Sequence, residues 1–272
     1  MALDPADFDY IRALVRQRSA VVLEPEKVYL AETRLAPLAL REGHESIRRL
    51  VARLRQGPEN SLHRKVVEAM TTNESYFFRD VRPFEAFRQV VVPDILKRRP
   101  SDVGLKVWCG ACSSGQEPYS VAMLLQEHFP QLVPGKSRII ASDLSTKMLD
   151  KARQGKYTQM EVNRGLPARL LVKYFVQQDT HWEILPSLRR LVEFREHNLI
   201  GPWSELPPVD VIFLRNVLIY FDTPTKKAIL AKIGQLLTRG GYLFLGGAET
   251  TLNLDSAFER VDFDRGCCFR LI

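Results

Sequence analysis

Arg215 and Asn216, a cation and an amide, stand where an almost wholly apolar run, Val209 to Leu214, should end, in the stretch DVIFLRNVLIYF. A buried parallel strand reads as a continuous Val/Ile/Leu/Phe run. Polar groups at its carboxyl end lie where open α/β sheets take ligands. The pattern recurs upstream. Asp143 closes RIIASD, Asn198 follows LVEFRE, and the loop GACSSG, with Glu117 just beyond it, follows LKVW. An acid after the second strand is placed to accept hydrogen bonds from ribose hydroxyls, although a helix-capping aspartate reads the same way. An asparagine amide after the third can read an adenine edge. Four strand ends that deliver polar groups to one side describe a single ligand crevice.

The first loop narrows the ligand. Gly110 and Gly115 in WCGACSSGQEP let backbone approach a bound molecule closely. Their spacing is that of a phosphate loop, but Gln116 and Glu117 stand where the lysine belongs, and the G-x-G-x-x-G dinucleotide fingerprint is not matched. A carboxylate beside the helix start repels phosphate. It suits positive charge, an ammonium or a sulfonium, which turns the reading from ATP and NAD towards S-adenosylmethionine. Ahead of the sheet, TTNESYFFRD (71–80) sets Asn73, Ser75 and Arg79 around Tyr76, Phe77 and Phe78. Polar groups interleaved with rings suit a lid that buries the rings and turns its polar atoms to a ligand. Cys109 and Cys112 form a CxxC, but a closed zinc site needs four ligands, and Cys267 and Cys268 are adjacent. The cysteines read as small buried side chains, with no metal.

The elements that must position these groups follow from spacing. Phe8, Ile11, Leu14 and Val15 recur at helical intervals, as do Ile47, Leu50, Val51 and Leu54. Arg48, Arg49, Arg53 and Arg55 accompany the second stripe and should lie off its apolar face. Gly57 to Asn60 break that helix, and another runs from Ser61 to Met70. Strands are expected at Leu105–Trp108, Arg138–Asp143, Leu191–Glu196, Val209–Leu214 and Tyr242–Leu245. Helices are expected at Pro118–Phe129, from Ser145 to about Gly155, and from Thr223 to about Thr238, with a terminal antiparallel hairpin at Phe258–Phe263 and Cys267–Leu271. Alternating strands and helices imply a mostly parallel sheet. The third crossover is interrupted by a helix at Pro167–Tyr174 and by short runs, Phe175–Val176 and Trp182–Leu185. These are expected to pair with Leu191–Glu196 as a small antiparallel appendage.

The chain has 272 residues, 45% hydrophobic and 26% charged, which is ordinary for a globular protein. No apolar run approaches the roughly 18 residues of a membrane span. MALDPADFDY lacks the basic and apolar blocks of a signal peptide, so a cytoplasmic location is expected, without membrane insertion. The net charge of +7 favours an acidic partner, nucleic acid or protein.

TTNESYFFRD, WCGACSSGQEPYSVAM, ASDLSTKMLDKARQGKY, HNL and FLRNVLIYF occur in one order. Together they closely resemble the chemotaxis receptor methyltransferases, the CheR family, over nearly the whole chain. The resemblance implies an N-terminal all-α receptor-recognition domain (1–70), a lid and connecting helix (71–100), and a class I S-adenosylmethionine-dependent methyltransferase domain (101–272) of Rossmann-like α/β fold. A small antiparallel β-subdomain is inserted at about 173–192. It implies methyl transfer from S-adenosylmethionine, yielding S-adenosylhomocysteine, to glutamate side chains on the cytoplasmic helical domain of methyl-accepting chemoreceptors, with a protein regulator as a further partner of the N-terminal domain and no nucleic acid. Asn73, Ser75 and Arg79 would touch the cofactor from the lid, Glu117 its methionine part, Asp143 the ribose, and Asn198 and Leu199 the adenine region. Arg215 and Asn216 would close the pocket, with Tyr220 near the transferring methyl. The family also places an arginine near the acceptor carboxylate. Lys97, Arg98 and Arg99 compete for that part, and Arg98 is preferred. A glutamate of pKa near 4.3 is already ionised at neutral pH, so no general base is required. A nucleic-acid methyltransferase and a non-catalytic S-adenosylmethionine-binding module are the alternatives. RNVL stands where base-modifying amino methyltransferases carry [DNS]PP[YF].

Some relatives carry a glycine-containing insertion in the β-subdomain that grips a tethering peptide at the receptor tail. VQQDTHWEILP is compact and has no glycine. Methylation by this chain is therefore expected to survive deletion of its receptor's tail when the methylation sites stay intact, as labelled methyl transfer to truncated receptors will test.

Overall fold

The apolar stripes of the first part fold as four helices, α1 (Pro5–Ser19), α2 (Val28–Arg41), α3 (Ile47–Arg55) and α4 (Ser61–Met70). The structure is a computed structural model and describes residues 3–99, 103–132, 135, 137–263 and 266–272. Asp4 caps α1 by accepting the Ala6 N–H, and Ser46 caps α3 through the Arg49 N–H. Asn60 and His63 cap α4 reciprocally. Phe8, Ile11, Leu14, Val15, Leu50, Val51 and Leu54 are buried, while Arg48, Arg49, Arg53 and Arg55 are exposed. One compact unit is Met1–Thr72 with Tyr220–Thr225; the other is Asn73–Ile219 with Lys226–Ile272. Within the first, Val22 donates its N–H to the Tyr220 carbonyl, and Arg16 pairs with Asp222 at 2.9 Å. Arg34 of α2 donates to the carbonyls of Met70 (2.7 Å) and Thr71 (2.9 Å).

The second unit opens with α5 (Arg82–Ala86), a π turn at Phe87–Val91 and α6 (Val92–Lys97). The alternation then begins with β1 (Lys106–Gly110), α7 (Gln116–His128), β2 (Arg138–Asp143) and α8 (Thr146–Gln154). The interrupted crossover follows: β3 (Lys156–Thr158), α9 (Gln159–Asn163), α10 (Ala168–Tyr174), β4 (Phe175–Gln178), β5 (His181–Ile184) and α11 (Pro186–Arg189). The chain resumes with β6 (Val192–Glu196), β7 (Val209–Phe213), α12 (Thr223–Leu236) and β8 (Leu237–Phe244), and ends in the hairpin β9 (Phe258–Phe263) and β10 (Gly266–Leu271). The main sheet runs β6-β2-β1-β7-β8-β10-β9, with the first five parallel and β10 antiparallel to both its neighbours. Strand order reverses between β1 and β7, so the crevice of an open α/β sheet falls at their carboxyl ends.

Three elements differ from the sequence reading. The small sheet is ordered β3-β5-β4, and its third strand is Lys156–Thr158 rather than Leu191–Glu196. The latter run, as β6, extends the main sheet beside β2. Helix α7 starts at Gln116, with Pro118 inside its first turn, where its missing N–H costs nothing. Strand β8 starts at Leu237 and passes through Gly240 and Gly241, because an irregular register between Val209 and Val211 lets the bent strand keep pairing with β7. The expected boundary at residues 100–101 lies outside the described residues.

Aromatic packing fixes the centre of the sheet. Phe213 stacks on Phe244 with centroids 4.5 Å apart, and Phe84 and Phe87 pack on Phe213 from the connecting helices. Trp108 is fully buried and donates its one polar hydrogen to Ser142 Oγ at 2.9 Å, which a buried indole requires. At the amino edge, Asp210 is buried. It accepts from Arg99 Nη1 (2.8 Å), the Lys106 N–H (2.8 Å) and Thr238 Oγ1 (3.1 Å), tying β7 to β1, β8 and the end of α6. Removing one partner of a buried pair costs about 3–5 kcal/mol. Asp210→Ala is expected to lose about that much unfolding free energy in urea titration, and Asp210→Asn less.

Candidate active site

Arg215 is the centre of the carboxyl-end crevice. Its side chain is 1% exposed. Nη1 donates to Glu117 Oε2 at 2.9 Å and Nη2 to Asp80 Oδ2 at 2.6 Å. The cation therefore joins the end of β7, the first turn of α7 and the end of the 71–80 segment. Burial raises the Glu117 pKa, and the Arg215 charge opposes that rise. Arg215 Nε has no partner among the described residues, so a buried donor is left over for a ligand acceptor. Two carboxylates against one guanidinium leave the cluster net negative.

Asp143 works on the loop beside it. One carboxylate oxygen accepts the Ser113 N–H at 2.7 Å and the other the Ser145 N–H at 2.9 Å. These bonds hold the β1–α7 loop in an uncommon shape. Ala111 (φ 52°) and Ser113 (φ 50°) are left-handed, a conformation that costs a side-chain-bearing residue energy and persists only where surroundings enforce it. Gly115 closes the loop at φ 90°, where an added Cβ would stand 2.9 Å from Ala152 Cβ. Burial raises the thiols of Cys109 and Cys112 well above their ordinary range, so both remain protonated packing groups. Among the described residues no group of three or more His, Cys, Asp or Glu could hold a metal ion, and no helix is long and apolar enough to cross a membrane.

After β6, the Asn198 side chain accepts the Ile200 N–H at 3.2 Å. The turn is stapled from α12, where Lys232 Nζ donates to the carbonyls of Leu199, Ile200 and Gly201 at 3.4, 3.2 and 2.7 Å. Trp203 donates to the Leu199 carbonyl at 3.0 Å and packs edge-on to Trp108. The 71–80 segment is sewn down at two points. Ser113 Oγ donates to the Asn73 carbonyl (2.8 Å), and the Phe78 N–H donates to Ser120 Oγ (3.0 Å). Phe77 is fully buried against Tyr157 and Phe175. Ser75 and Arg79 are half-buried. Arg79 donates to the Glu74 carbonyl, flanks the Tyr76 ring and lies within electrostatic reach of Glu117.

Asn73, Ser75, Arg79, Glu117, Asp143, Asn198, Leu199, Arg215 and Asn216 thus lie on the lid and on the strand-end loops of one unit. Arg98 does not join them. It pairs with Asp94 at 2.6 Å and donates to the Gly240 carbonyl at 3.0 Å, at the amino edge of the sheet, because α6 descends to that edge before β1 starts. Lys97 is the last residue of the same helix, and Arg99 is committed to Asp210. Tyr220 belongs to the first unit, within electrostatic reach of Arg34.

Two site residues escape the sequence reading. Asp80 lay inside the lid motif without a role. Glu249 lies past the end of β8, in GGAET. It shares with Arg215, Asp80 and Gly246 the wall of a cavity of about 1200 Å³. The signal was available: a fifth strand end also delivers a polar group.

Residues 6–71 match the family described as CheR methyltransferase, all-alpha domain, and residues 73–267 match CheR methyltransferase, SAM binding domain. The chain belongs to the CheR methyltransferase family. Chemotaxis protein methyltransferase Cher2 of Pseudomonas putida is 38% identical over 275 residues, covering 99% of each chain. Chemotaxis protein methyltransferase 1 of Pseudomonas aeruginosa is 39% identical with the same coverage, and that of Vibrio cholerae 38% identical over 97% of this chain and 95% of its own. This CheR-family enzyme is a methyltransferase of class I fold whose cofactor is S-adenosylmethionine. The residues fit that cofactor: two carboxylates against the buried Arg215, Glu117 within the crevice and Asp80 at its exposed rim, suit its cationic end, and the unpaired Arg215 Nε–H suits its carboxylate.

Gly246 is packed too closely to accept a side chain. An added Cβ would stand 2.6 Å from Asn216 Nδ2 and 2.8 Å from Glu249 Oε2, whereas at Gly247 it would meet nothing within 4 Å. Gly246→Ala is expected to cost about 1–3 kcal/mol of stability and to weaken S-adenosylhomocysteine binding in calorimetry, with Gly247→Ala behaving as wild type.

Proposed function

We propose that this enzyme is a protein-glutamate O-methyltransferase that esterifies specific glutamates on the cytoplasmic helical domain of chemoreceptors, in the cytoplasm, as the adaptation step of chemotactic signal transduction. The observation that carries the reading is the buried Arg215 held between Glu117 and Asp80 at the switch point of the sheet. Full-length similarity to proteins named chemotaxis protein methyltransferases supports the receptor as substrate.

When bound, S-adenosylmethionine supplies an activated methyl group. The chain's own residues bind, orient and exclude water. Glu117 and Asp80 present negative charge to the cationic end, while Arg215 Nε–H meets the carboxylate. Asp143, whose carboxylate accepts the Ser113 and Ser145 N–H groups beside the β1–α7 loop, meets the ribose hydroxyls. Asn198 and Leu199, at the turn that Lys232 staples through the Leu199, Ile200 and Gly201 carbonyls, face the adenine. Asn73, Ser75 and Arg79 cover the pocket from the lid, and Asn216 closes it at the methionine end. With Arg98 at the far edge, Arg79 is the lid cation that can steer an incoming carboxylate. The acceptor is ionised at neutral pH, so no side chain need remove a proton. Opposite charges vanish as the reaction proceeds, so positioning and a water-excluding pocket supply the acceleration.

Incubation with labelled S-adenosylmethionine and receptor membranes is expected to give base-labile label on protein and none on RNA; label on RNA instead would sink the reading. The exposed arginines of α3 suit acidic receptor helices. Arg53→Glu should lower receptor methylation by about an order of magnitude at low salt, less at high salt, with cofactor affinity unchanged.

A further inference from the structure

Four backbone N–H groups converge on one carboxylate just past the fifth parallel strand. Glu249 Oε2 accepts from Gly246 at 2.6 Å and from Asn216 at 2.8 Å. Its Oε1 accepts from Val217 at 2.9 Å and from Ile219 at 3.2 Å. Two donors on each oxygen fill the roughly four acceptor sites of an ionised carboxylate. The donors belong to two different loops, one after β7 and one after β8, so the glutamate fixes the spacing between neighbouring strand ends.

The segment it holds cannot hold itself. Asn216 is left-handed (φ 58°), and Leu218–Tyr220 is a single 3-10 turn. Neither supplies an intrahelical partner for the N–H groups of Asn216 and Val217, and such groups must find one. Gly246 brings the loops so close that Asn216 Nδ2 would lie 2.6 Å, and its backbone nitrogen 2.9 Å, from a Cβ there. The backbone geometry and the side-chain direction of Asn216 are thereby set together.

We infer that Glu249 is a positioning residue of the methyl-transfer pocket: it acts on the cofactor through Asn216, whose backbone it clamps. The inference rests on the reading above that Asn216 contacts the cofactor. Side chains that act as one unit lose binding energy once, not twice. The full-length chain and its Asn216→Ala, Glu249→Gln and double variants would be titrated with S-adenosylhomocysteine in a calorimeter, with thermal unfolding in parallel. Glu249→Gln places an NH₂ group against N–H donors and should weaken binding by about 10- to 100-fold, as should Asn216→Ala. The double variant should fall within about threefold of Asn216→Ala alone. In receptor methylation, KM for S-adenosylmethionine should rise by a similar factor while kcat at saturating cofactor holds. Should Glu249→Gln fold poorly, Glu249→Asp, which keeps the charge but retracts the carboxylate by one methylene, carries the same expectation at smaller size. Additive losses in the double variant overturn the inference, as does wild-type binding by the Glu249 variants where Asn216→Ala has lost it. Wild-type binding by Asn216→Ala and Glu249→Gln alike overturns the reading of Asn216, and the inference with it.

Discussion

A guanidinium taken almost wholly out of water governs the architecture of this crevice. Arg215 cannot be buried without compensation, and its two partners come from places far apart in the sequence, Asp80 and Glu117. One cation therefore dictates where the lid ends, how α7 begins and how far β7 extends. The compensation overshoots in number, two carboxylates to one guanidinium, while burial raises the Glu117 pKa against the pull of Arg215. A site with surplus negative charge and a leftover donor is incomplete by itself, and a zwitterionic ligand carrying a further positive charge completes it.

Carboxylates also do structural duty here. Asp143 and Glu249 each turn both oxygens on backbone N–H groups of strand-end loops. Those loops and the end of the lid are where strain collects. Phe78, Asp80, Val81, Ala111, Ser113 and Asn216 are all left-handed without being glycine. Ordinary turns would use glycine at such positions. Keeping side chains there while clamping the backbone gives a pocket wall that bears functional groups and holds its shape.

Much of this was legible in the sequence, for local reasons. Val209–Leu214 and Arg138–Asp143 are apolar runs whose ends are marked by polar residues, so the strands, a crevice at their carboxyl ends and the positions of Glu117, Asp143, Arg215 and Asn216 could be read together. Ser145 and Gly155 punctuate α8 as capping chemistry demands. What failed was non-local. Lys156–Thr158 is too short a strand to show a period, and its pairing with His181–Ile184 depends on how the crossover folds back. Arg98 was misplaced because composition says that a helix precedes β1, not which edge of the sheet it reaches. Glu249 went unread because the Asn216 and Val217 N–H groups it holds lie some thirty residues upstream.

The segment 71–80 was expected to act as a lid, and its stitching limits what kind it can be. Its carbonyl at Asn73 and its N–H at Phe78 are both bonded to hydroxyls of the β1–α7 region, and Phe77 is sunk in the core. Only Glu74, Ser75 and Tyr76 span the interval, with the Tyr76 ring flanked by the guanidinium groups of Arg79 and Arg164. A flap anchored at both margins cannot swing as a rigid door. Traffic into and out of the crevice must instead pass by rotation of that ring and its two cationic neighbours, a shutter moved by side-chain torsions and not by a hinge.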